Sequence, residues 1–427
     1  MNEHDSEVIA GLLEREGYTR TDDIKSADVI IYNTCCVREN PERKTYGQVG
    51  DLKALKRKNP DLIIGICGCM PQQPGEAERI REKLPHVDIV FGTHNIHRLP
   101  ELLKEARAGR RAFEIWEREE EILEDLPVRR QGKLKAWVTI MYGCNNFCAY
   151  CIVPYVRGRE RSRKPEDIVR EVTQLGREGY KEVTLLGQNV NAYGKGLEPG
   201  VDFSDLLLML NDVPGIERIR YTTSHPRDFS EKLIETVATA EKVCENFHLP
   251  LQAGSDKILK RMGRGYTLAR YLGLVHDIRA RIPGASITTD LIVGFPGETD
   301  EDFQRTLEAV EEIEFDSAFT FIYSPRRGTR AAEMPDQVPE DVKHERIQRL
   351  IEVQNAISLR KNQALVGTSQ EVLVEGPSEG NPDMLEGRTR TNKLVHFPGD
   401  RAALEGKLVT VKITSAKTWT LGAEVVK

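Results

Sequence analysis

The chain reads as an α/β protein made of a parallel α/β domain, a partial (β/α)6 barrel and a small β-barrel. Three observations predict this. Short buried strands alternate with amphipathic helical stretches over residues 1 to about 110, which implies a parallel sheet with helices on its faces. The alternation resumes from about 130 to 360 with six strand candidates, short of the eight that close a full barrel. After a helix ending near Leu365 the texture becomes all β, in short alternating segments split by Gly, Pro and Asn.

In chain order, MNEHDSEVIAGLLEREGY is an amphipathic helix with Val8, Ile9, Leu12 and Leu13 on one face. DVIIYNT is a buried strand, and a helical stretch follows from Pro41, a good first-turn residue. The strand DLIIGICG, a short helix, the strand VDIVFGT and a helix near Ile96 to Arg107 complete a first domain, 1–112. This domain opens on a helix with no strand before it, so the natural protein is expected to begin upstream of Met1. Residues 113–129 are expected to be an acidic linker, with Glu114, Glu117, Glu119, Glu120, Glu121, Glu124 and Asp125 against Arg118.

The second domain, 130–361, carries candidate strands Ala136–Tyr142, Glu182–Leu186, Glu217–Tyr221, Asn246–Leu251, Ser286–Val293 and Ser317–Ile322. Helical stretches such as Pro165–Arg177 and Thr299–Ile313 separate them; the latter opens on Thr299 and three acids, a good N-terminal cap. The third domain, 363–427, holds QEVLVEG, GRTRTNKLVHF, KLVTVKIT and WTLGAEVV.

A net charge of −6 over 427 residues excludes a bulk polycation and leaves room only for local basic patches. The start, MNEHDSE, is unlike a signal peptide. Ala136 to Val156 is uncharged, yet Gly143, Asn145, Asn146, Pro154 and three cysteines make it a poor membrane span. The expectation is a cytoplasmic, monomeric protein with no membrane partner. Eight cysteines in such a chain argue for metal or redox chemistry rather than disulfides.

The sharpest motif is GCNNFCAYC, which sets Cys144, Cys148 and Cys151 in a C-x3-C-x2-C spacing directly after a strand. Three thiolates at that spacing can hold three corners of an iron–sulfur cubane and leave one iron open to substrate. A zinc site would want a fourth ligand, and the nearest downstream histidine is His225. Buried structural thiols are the third reading, although they need neither the spacing nor the flanking glycine and asparagines.

With Tyr150 as the aromatic before the last cysteine, this motif resembles the radical S-adenosylmethionine (SAM) superfamily. The resemblance implies a 4Fe–4S cluster whose unligated iron chelates SAM and splits it to a 5′-deoxyadenosyl radical. Cys35 and Cys36 (NTCCVREN) and Cys67 and Cys69 (GICGCM) each follow a buried strand, so both pairs are expected at one sheet edge. With them the chain resembles the methylthiotransferases, whose first domain carries a second, auxiliary 4Fe–4S cluster. Cys35 and Cys69 match that motif, while Cys36 and Cys67 fall at variable positions. The family's G-C-Q-M-N motif, which supplies another cluster cysteine, has no counterpart here. This chain is therefore expected to assemble only the Cys144/Cys148/Cys151 cluster and to cleave SAM without transferring methylthio groups. Of the other thiols Cys67 is the better substitute, since Cys36 should face away from Cys35. Cys244 reads as core.

YVRGRERSRK places Arg157, Arg159, Arg161, Arg163 and Lys164 beside the cysteines, either as a solvated loop or as receivers of phosphate. The same stretch resembles the tRNA-modifying subfamily. The tail resembles a TRAM domain, a small RNA-binding barrel, and Arg388, Arg390 and Lys393 in GRTRTNK are expected to share one face toward RNA. Phe397 either stacks on a base or packs in the core. For SAM, Gln188 or Asn189 in LLGQNVNAYG is expected at its amino group, with a polar turn as the alternative. Gly294 and Gly297 in LIVGFPGET are expected beside its adenine, with a plain turn as the alternative. The resemblance implies methylthiolation at C2 of N6-isopentenyladenosine, position 37 of tRNA, with SAM as both methyl donor and radical source and a protein electron donor as partner. Sister enzymes acting on threonylcarbamoyladenosine or a ribosomal-protein aspartate, and a zinc-stabilised RNA-binding protein without catalysis, are the alternatives.

Overall fold

A computed structural model describes residues 1–36, 39–117, 122–197 and 200–426. Val37 and Arg38 of the NTCCVREN motif and the centre of the acidic run, 118–121, lie outside the described residues. The chain divides into two compact units. One comprises Met1–Gly132, Met141–Arg163 and Ser324–Ala332; the other comprises Lys133–Ile140, Lys164–Tyr323 and Glu333–Lys427.

In the first unit, β1 (Val29–Thr34), β2 (Ile63–Gly68), β3 (Ile89–Phe91) and β4 (Ala112–Glu114) form a parallel sheet in that order. The first three strands match the expected ones, and the helix after β1 begins at Glu39, ahead of Pro41. β4 was not expected; it takes the start of the acidic stretch into the sheet edge. At the far end of that stretch, Arg129 donates its N–H to the carbonyl of Glu7 at 2.9 Å. β2 is buried on both faces, as a central parallel strand must be. Ile64 and Ile66 face one core with Val49 and Ile80, while Ile63 and Cys67 face another with Leu12 and Leu102. The unit also holds a two-stranded clip, β6 (Met141–Tyr142) against β7 (Arg161–Ser162).

In the second unit, β5 (Lys135–Thr139), β8 (Glu182–Leu186) and β9 (Arg218–Tyr221) form one parallel sheet; β10 (Asn246–His248), β11 (Ser286–Val293) and β12 (Ser317–Ile322) form another. A parallel bridge between Ile219 and Val243 joins the two sheets. The result is six parallel strands in chain order, the partial barrel. The helix Asp300–Ile313 starts with a reciprocal cap between Thr299 and Asp302.

After a helix Glu340–Gln363, the strands β13 (Ser369–Ser378), β14 (Asn381–Thr389), β15 (Leu394–Pro398), β16 (Leu408–Ala416) and β17 (Thr420–Val425) close a barrel in the order β13-β14-β15-β17-β16. Its core is Val372, Val374, Leu385, Val395, Phe397 and their neighbours, so Phe397 packs rather than stacks. Cys244 is buried, as expected of a core residue. Two arginines of β9 seat the small barrel. Arg218, fully buried, donates to the carbonyls of Arg388 (2.6 Å) and Glu371 (3.1 Å). Arg220 donates to those of Arg390 (2.9 Å) and Thr389 (2.7 Å), while Glu182 balances its charge at 2.8 Å.

Candidate active site

The β6–β7 clip pins the base of the cysteine loop. Gly143 has φ +74°, and a Cβ there would lie 2.0 Å from the carbonyl oxygen of Arg159, so only glycine fits. Cys144 donates its N–H to the Gly158 carbonyl at 3.1 Å, and Cys151 donates its own to Cys148 at 3.0 Å. Asn145 and Glu160 hold one another across the loop through three hydrogen bonds of 3.1–3.3 Å. From further along the chain, Arg330 donates to the Phe147 carbonyl (2.9 Å) and the Ala331 N–H to that of Ala149 (2.8 Å). These two supporting residues carry no motif, and only the fold brings them to the loop.

Cys144 and Cys148 are buried, and Cys151 and Tyr150 are half-buried. Burial pushes the Cys144 thiol up to about 11, against the N–H of Asn146. Among the described residues, no three His, Cys, Asp or Glu side chains are grouped to hold a single metal ion. The donor set fits a cluster in kind: three thiols on one pinned loop.

In the same unit, Gly68 (φ +92°) redirects the chain after β2; a Cβ there would meet the Thr34 carbonyl oxygen at 2.4 Å. Cys67 therefore keeps the strand's alternation and stays in the core beside Leu12, while Cys69 joins the opposite core with Cys36. The expectation that Cys67 is the substitute ligand is corrected on this ground. Cys36 is the thiol hydrogen-bonded to Cys69, and Cys35 is half-buried beside them. That bond to Cys36, opposed by burial and aided by the Arg157 guanidinium, brings the Cys69 thiol down to about 6.

Arg157 is buried, with Nε 3.2 Å from the Cys69 sulfur and Nη2 2.6 Å from Asp5. Burial opposes its charge, but Asp5 and Cys69 outweigh that and hold it cationic. Arg163 is buried too, clasped by Glu124 at 2.6–3.0 Å. Neither is placed to receive phosphate, because a buried paired guanidinium has no free face. Arg159 is exposed over the Phe147 ring at 4.4 Å, and Arg161 is half-buried over Tyr142 at 5.8 Å.

In the second unit, the C-terminal ends of successive barrel strands carry buried polar atoms with no hydrogen-bond partner. These are Gln188 Oε1 after β8, Ser224 Oγ and His225 Nε2 after β9, and Gln252 Oε1 after β10. Native interiors leave few such atoms, and a group of them at strand ends is where an α/β barrel receives its ligand. Sequence reasoning found only Gln188; left-handed backbone at Thr223 (φ +68°) and Gln252 (φ +75°) marks the same place. His225 accepts from the Arg227 N–H at Nδ1 (3.2 Å), so its proton sits on the unpartnered Nε2. Burial, with the Arg264 charge, lowers its pKa to about 2 and keeps it neutral.

Asn189 spends its amide internally, donating to Asp228 (2.9 Å) and accepting from the His225 N–H (3.2 Å), so it shapes the loop beside Gln188. Gly294 and Gly297 have φ +72° and +79°. A Cβ on Gly294 would meet Lys343 at 2.3 Å, and one on Gly297 would meet Asp336 at 2.5 Å, so this chain's own side chains already use that space.

The basic residues of the small barrel also differ from expectation. Arg390 is clamped by Glu245 at 2.7–3.0 Å and donates to the Val243 carbonyl at 2.8 Å; Lys393 binds Asp316 and Asn362, each at 2.9 Å. Both hold the small barrel to the partial barrel rather than facing outward. Arg388 is the most exposed of the three, paired with Glu375 at 3.7 Å and donating to the Asn392 carbonyl at 3.3 Å.

Three family models match the chain: the radical SAM superfamily over residues 138–310, the uncharacterized protein family UPF0004 over 1–92 and the TRAM domain over 363–426. A tRNA-2-methylthio-N(6)-dimethylallyladenosine synthase of Desulforamulus reducens is 58% identical over 427 residues, covering 100% of this chain and 93% of that protein. One from Moorella thermoacetica is 57% identical, covering 100% and 96%. The chain belongs to the family of these synthases. Among solved structures, the radical SAM methyltransferase TsrM from Kitasatospora setae, with cobalamin and a [4Fe-4S] cluster bound, has a TM-score of 0.57 at 17% identity, covering 77% of this chain and 73% of that one. That likeness supports the fold alone. Membership makes the chain a radical SAM enzyme, with a 4Fe–4S cluster and SAM as its cofactors.

Proposed function

We propose that this protein methylthiolates C2 of N6-dimethylallyladenosine at position 37 of tRNA. The observation that carries the reading is the 58% identity, along the whole chain, to synthases whose name states that product. The site agrees with it in kind. C2–H of adenine is neither acidic nor electrophilic, so no arrangement of side-chain acids and bases activates it. The bound cluster and SAM supply a carbon radical able to take that hydrogen.

The residues of this chain do the rest. Cys144, Cys148 and Cys151 hold the cluster, and the clip β6–β7 with Arg330 and Ala331 fixes their loop. Gln188, Ser224, His225 and Gln252 offer the unpaired donors and acceptors that a polar ligand such as SAM satisfies, and neutral His225 presents an N–H without adding charge. In the first unit, Cys69, with Cys36 and Cys35 beside it, is the thiol set for a second 4Fe–4S cluster, and Arg157 orients it. Exposed Arg159 and half-exposed Arg388 are among the cations offered to RNA phosphate. The protein works in the cytoplasm as a monomer and takes electrons from a reducing protein partner.

Mass spectrometry of tRNA from a strain lacking the gene tests the reading. Position 37 should stop at N6-dimethylallyladenosine, and the 2-methylthio group should return with the intact gene. An unchanged methylthio level, or loss of a threonylcarbamoyladenosine derivative instead, would refute it.

A further inference from the structure

Where the small β-barrel meets the partial barrel, a cleft of about 240 Å³ opens, far above the ~10–15 Å³ that one water needs. Asn246, Thr288, Asn362 and Arg388 give it polar walls, and Phe319 and Trp419 line it as well. These two rings are 58% and 59% exposed, the most exposed large apolar side chains among the described residues. Rings of that size normally bury their faces, so two left open in one polar cleft call for an occupant.

The Trp419 ring is free, but its backbone is not. The turn between β16 and β17 closes with Lys417 N–H on the Thr420 carbonyl at 2.8 Å. Buried Asn362 donates to the carbonyls of Lys417 (2.9 Å) and Thr418 (3.0 Å), and itself accepts from Lys393. A turn held from both sides presents its ring at little entropic cost, which is how a stacking platform is prepared. Phe319 stands on β12 opposite Asp290, with an edge contact to His248 at 6.1 Å. The cleft's carboxylate, Asp316, is neutralised by Lys361 (2.7 Å) and Lys393 (2.9 Å), while the Arg388 guanidinium is half-exposed at the wall. Neutralised walls, two open aromatic rings and a half-exposed guanidinium, held by Glu375 only at 3.7 Å, suit a planar uncharged ring on an anionic backbone.

We propose that this cleft is a stacking subsite for an unpaired nucleobase of the RNA substrate, with Trp419 and Phe319 as its stacking surfaces and Arg388 meeting the adjoining phosphate. The proposal rests on the tRNA reading above and adds a place where a base other than the modified one is held.

The test titrates the intact protein with an anticodon stem-loop RNA and with a fully paired duplex of equal length, following tryptophan fluorescence. The stem-loop should quench Trp419, and Trp419→Phe should remove that part of the signal while keeping most of the affinity, since it keeps a π face. Trp419→Ala, at an exposed turn, should bind about 5- to 100-fold more weakly, and Phe319→Leu should weaken binding independently. Undiminished RNA binding by Trp419→Ala, equal quenching by the duplex, or self-association that this variant abolishes would overturn the subsite. If the unaltered protein binds no tRNA, the tRNA reading fails and the subsite with it.

Discussion

The Nε of Arg157 donates to the sulfur of Cys69 across 3.2 Å, joining positions 88 apart in the chain. Through Nη2 the same guanidinium binds Asp5 at 2.6 Å, so one buried side chain ties the segment after the cysteine loop to the opening helix and to the end of β2. A stretch of basic residues that looks like a phosphate grip is, at this position, an internal fastener.

Replacing Arg157 with Ala leaves Asp5 buried without its partner, a change that costs about 3–5 kcal/mol where it has been measured in other proteins. The first unit should melt well below the second in calorimetry of the variant. In metal-free protein, Cys69 should also alkylate more slowly near pH 7, because the cation that favours its thiolate is gone. Arg157→Lys restores charge but not both bonds, and should fall between.

Cys148→Ala should lower bound iron and abolish formation of 5′-deoxyadenosine, since two thiolates rarely hold a cubane. Iron analysis and chromatography of the SAM products check this. Product formation at the level of the unaltered enzyme would sink the assignment of the loop as the cluster site.

Arg388 and Arg390 should separate. Arg388→Ala should reduce the slope of log K against log salt for tRNA binding by about 1. Arg390→Ala should instead loosen the small barrel, leaving Glu245 unpaired. Limited proteolysis should then cut more readily between the helix ending at Gln363 and β13. An Arg390→Ala variant with a reduced salt slope and unchanged proteolysis would reverse the two roles.

His225 predicts a pH dependence. Its folded pKa lies near 2, below the ordinary value of 6.5, so between those values the unfolded chain binds the extra proton. Stability is therefore complete above about pH 6.5 and falls as pH drops, by up to about 1.4 kcal/mol per unit. Urea midpoints at pH 7 and pH 5.5 should differ more for the unaltered protein than for His225→Asn. Equal differences would show that His225 titrates normally.

Much of the fold was legible because its causes are local. Apolar runs such as DLIIGICG and the Thr299 cap act within a few residues, and each lies where it was expected. In the tail, by contrast, GRTRTNKLVHF is not one segment but the end of β14, a turn carrying Arg390 and Lys393, and β15. β4 escaped because three residues at the edge of an acidic stretch carry too short a pattern, and their place is set by pairing with β3. The cysteine spacing was likewise local chemistry. Ser224, His225 and Gln252 were missed because a polar residue at a strand end looks like any turn residue until its atoms prove buried and unpartnered.

The sequence by itself determined most of the elements, their order and the three-thiol loop, since periodicity, caps and ligand spacing are properties of neighbouring residues. Only the tertiary structure decided which charges are used and which are free. Arg157, Arg163, Arg390 and Lys393 look like their exposed neighbours in sequence, yet each meets a carboxylate brought from elsewhere in the chain: Asp5, Glu124, Glu245 and Asp316. It also decided that Cys36, not Cys67, meets Cys69, through the left-handed turn at Gly68. Charge pairing and thiol pairing act through space at a few ångströms, and separation along the chain says nothing about such distances until the sheets and barrels have closed.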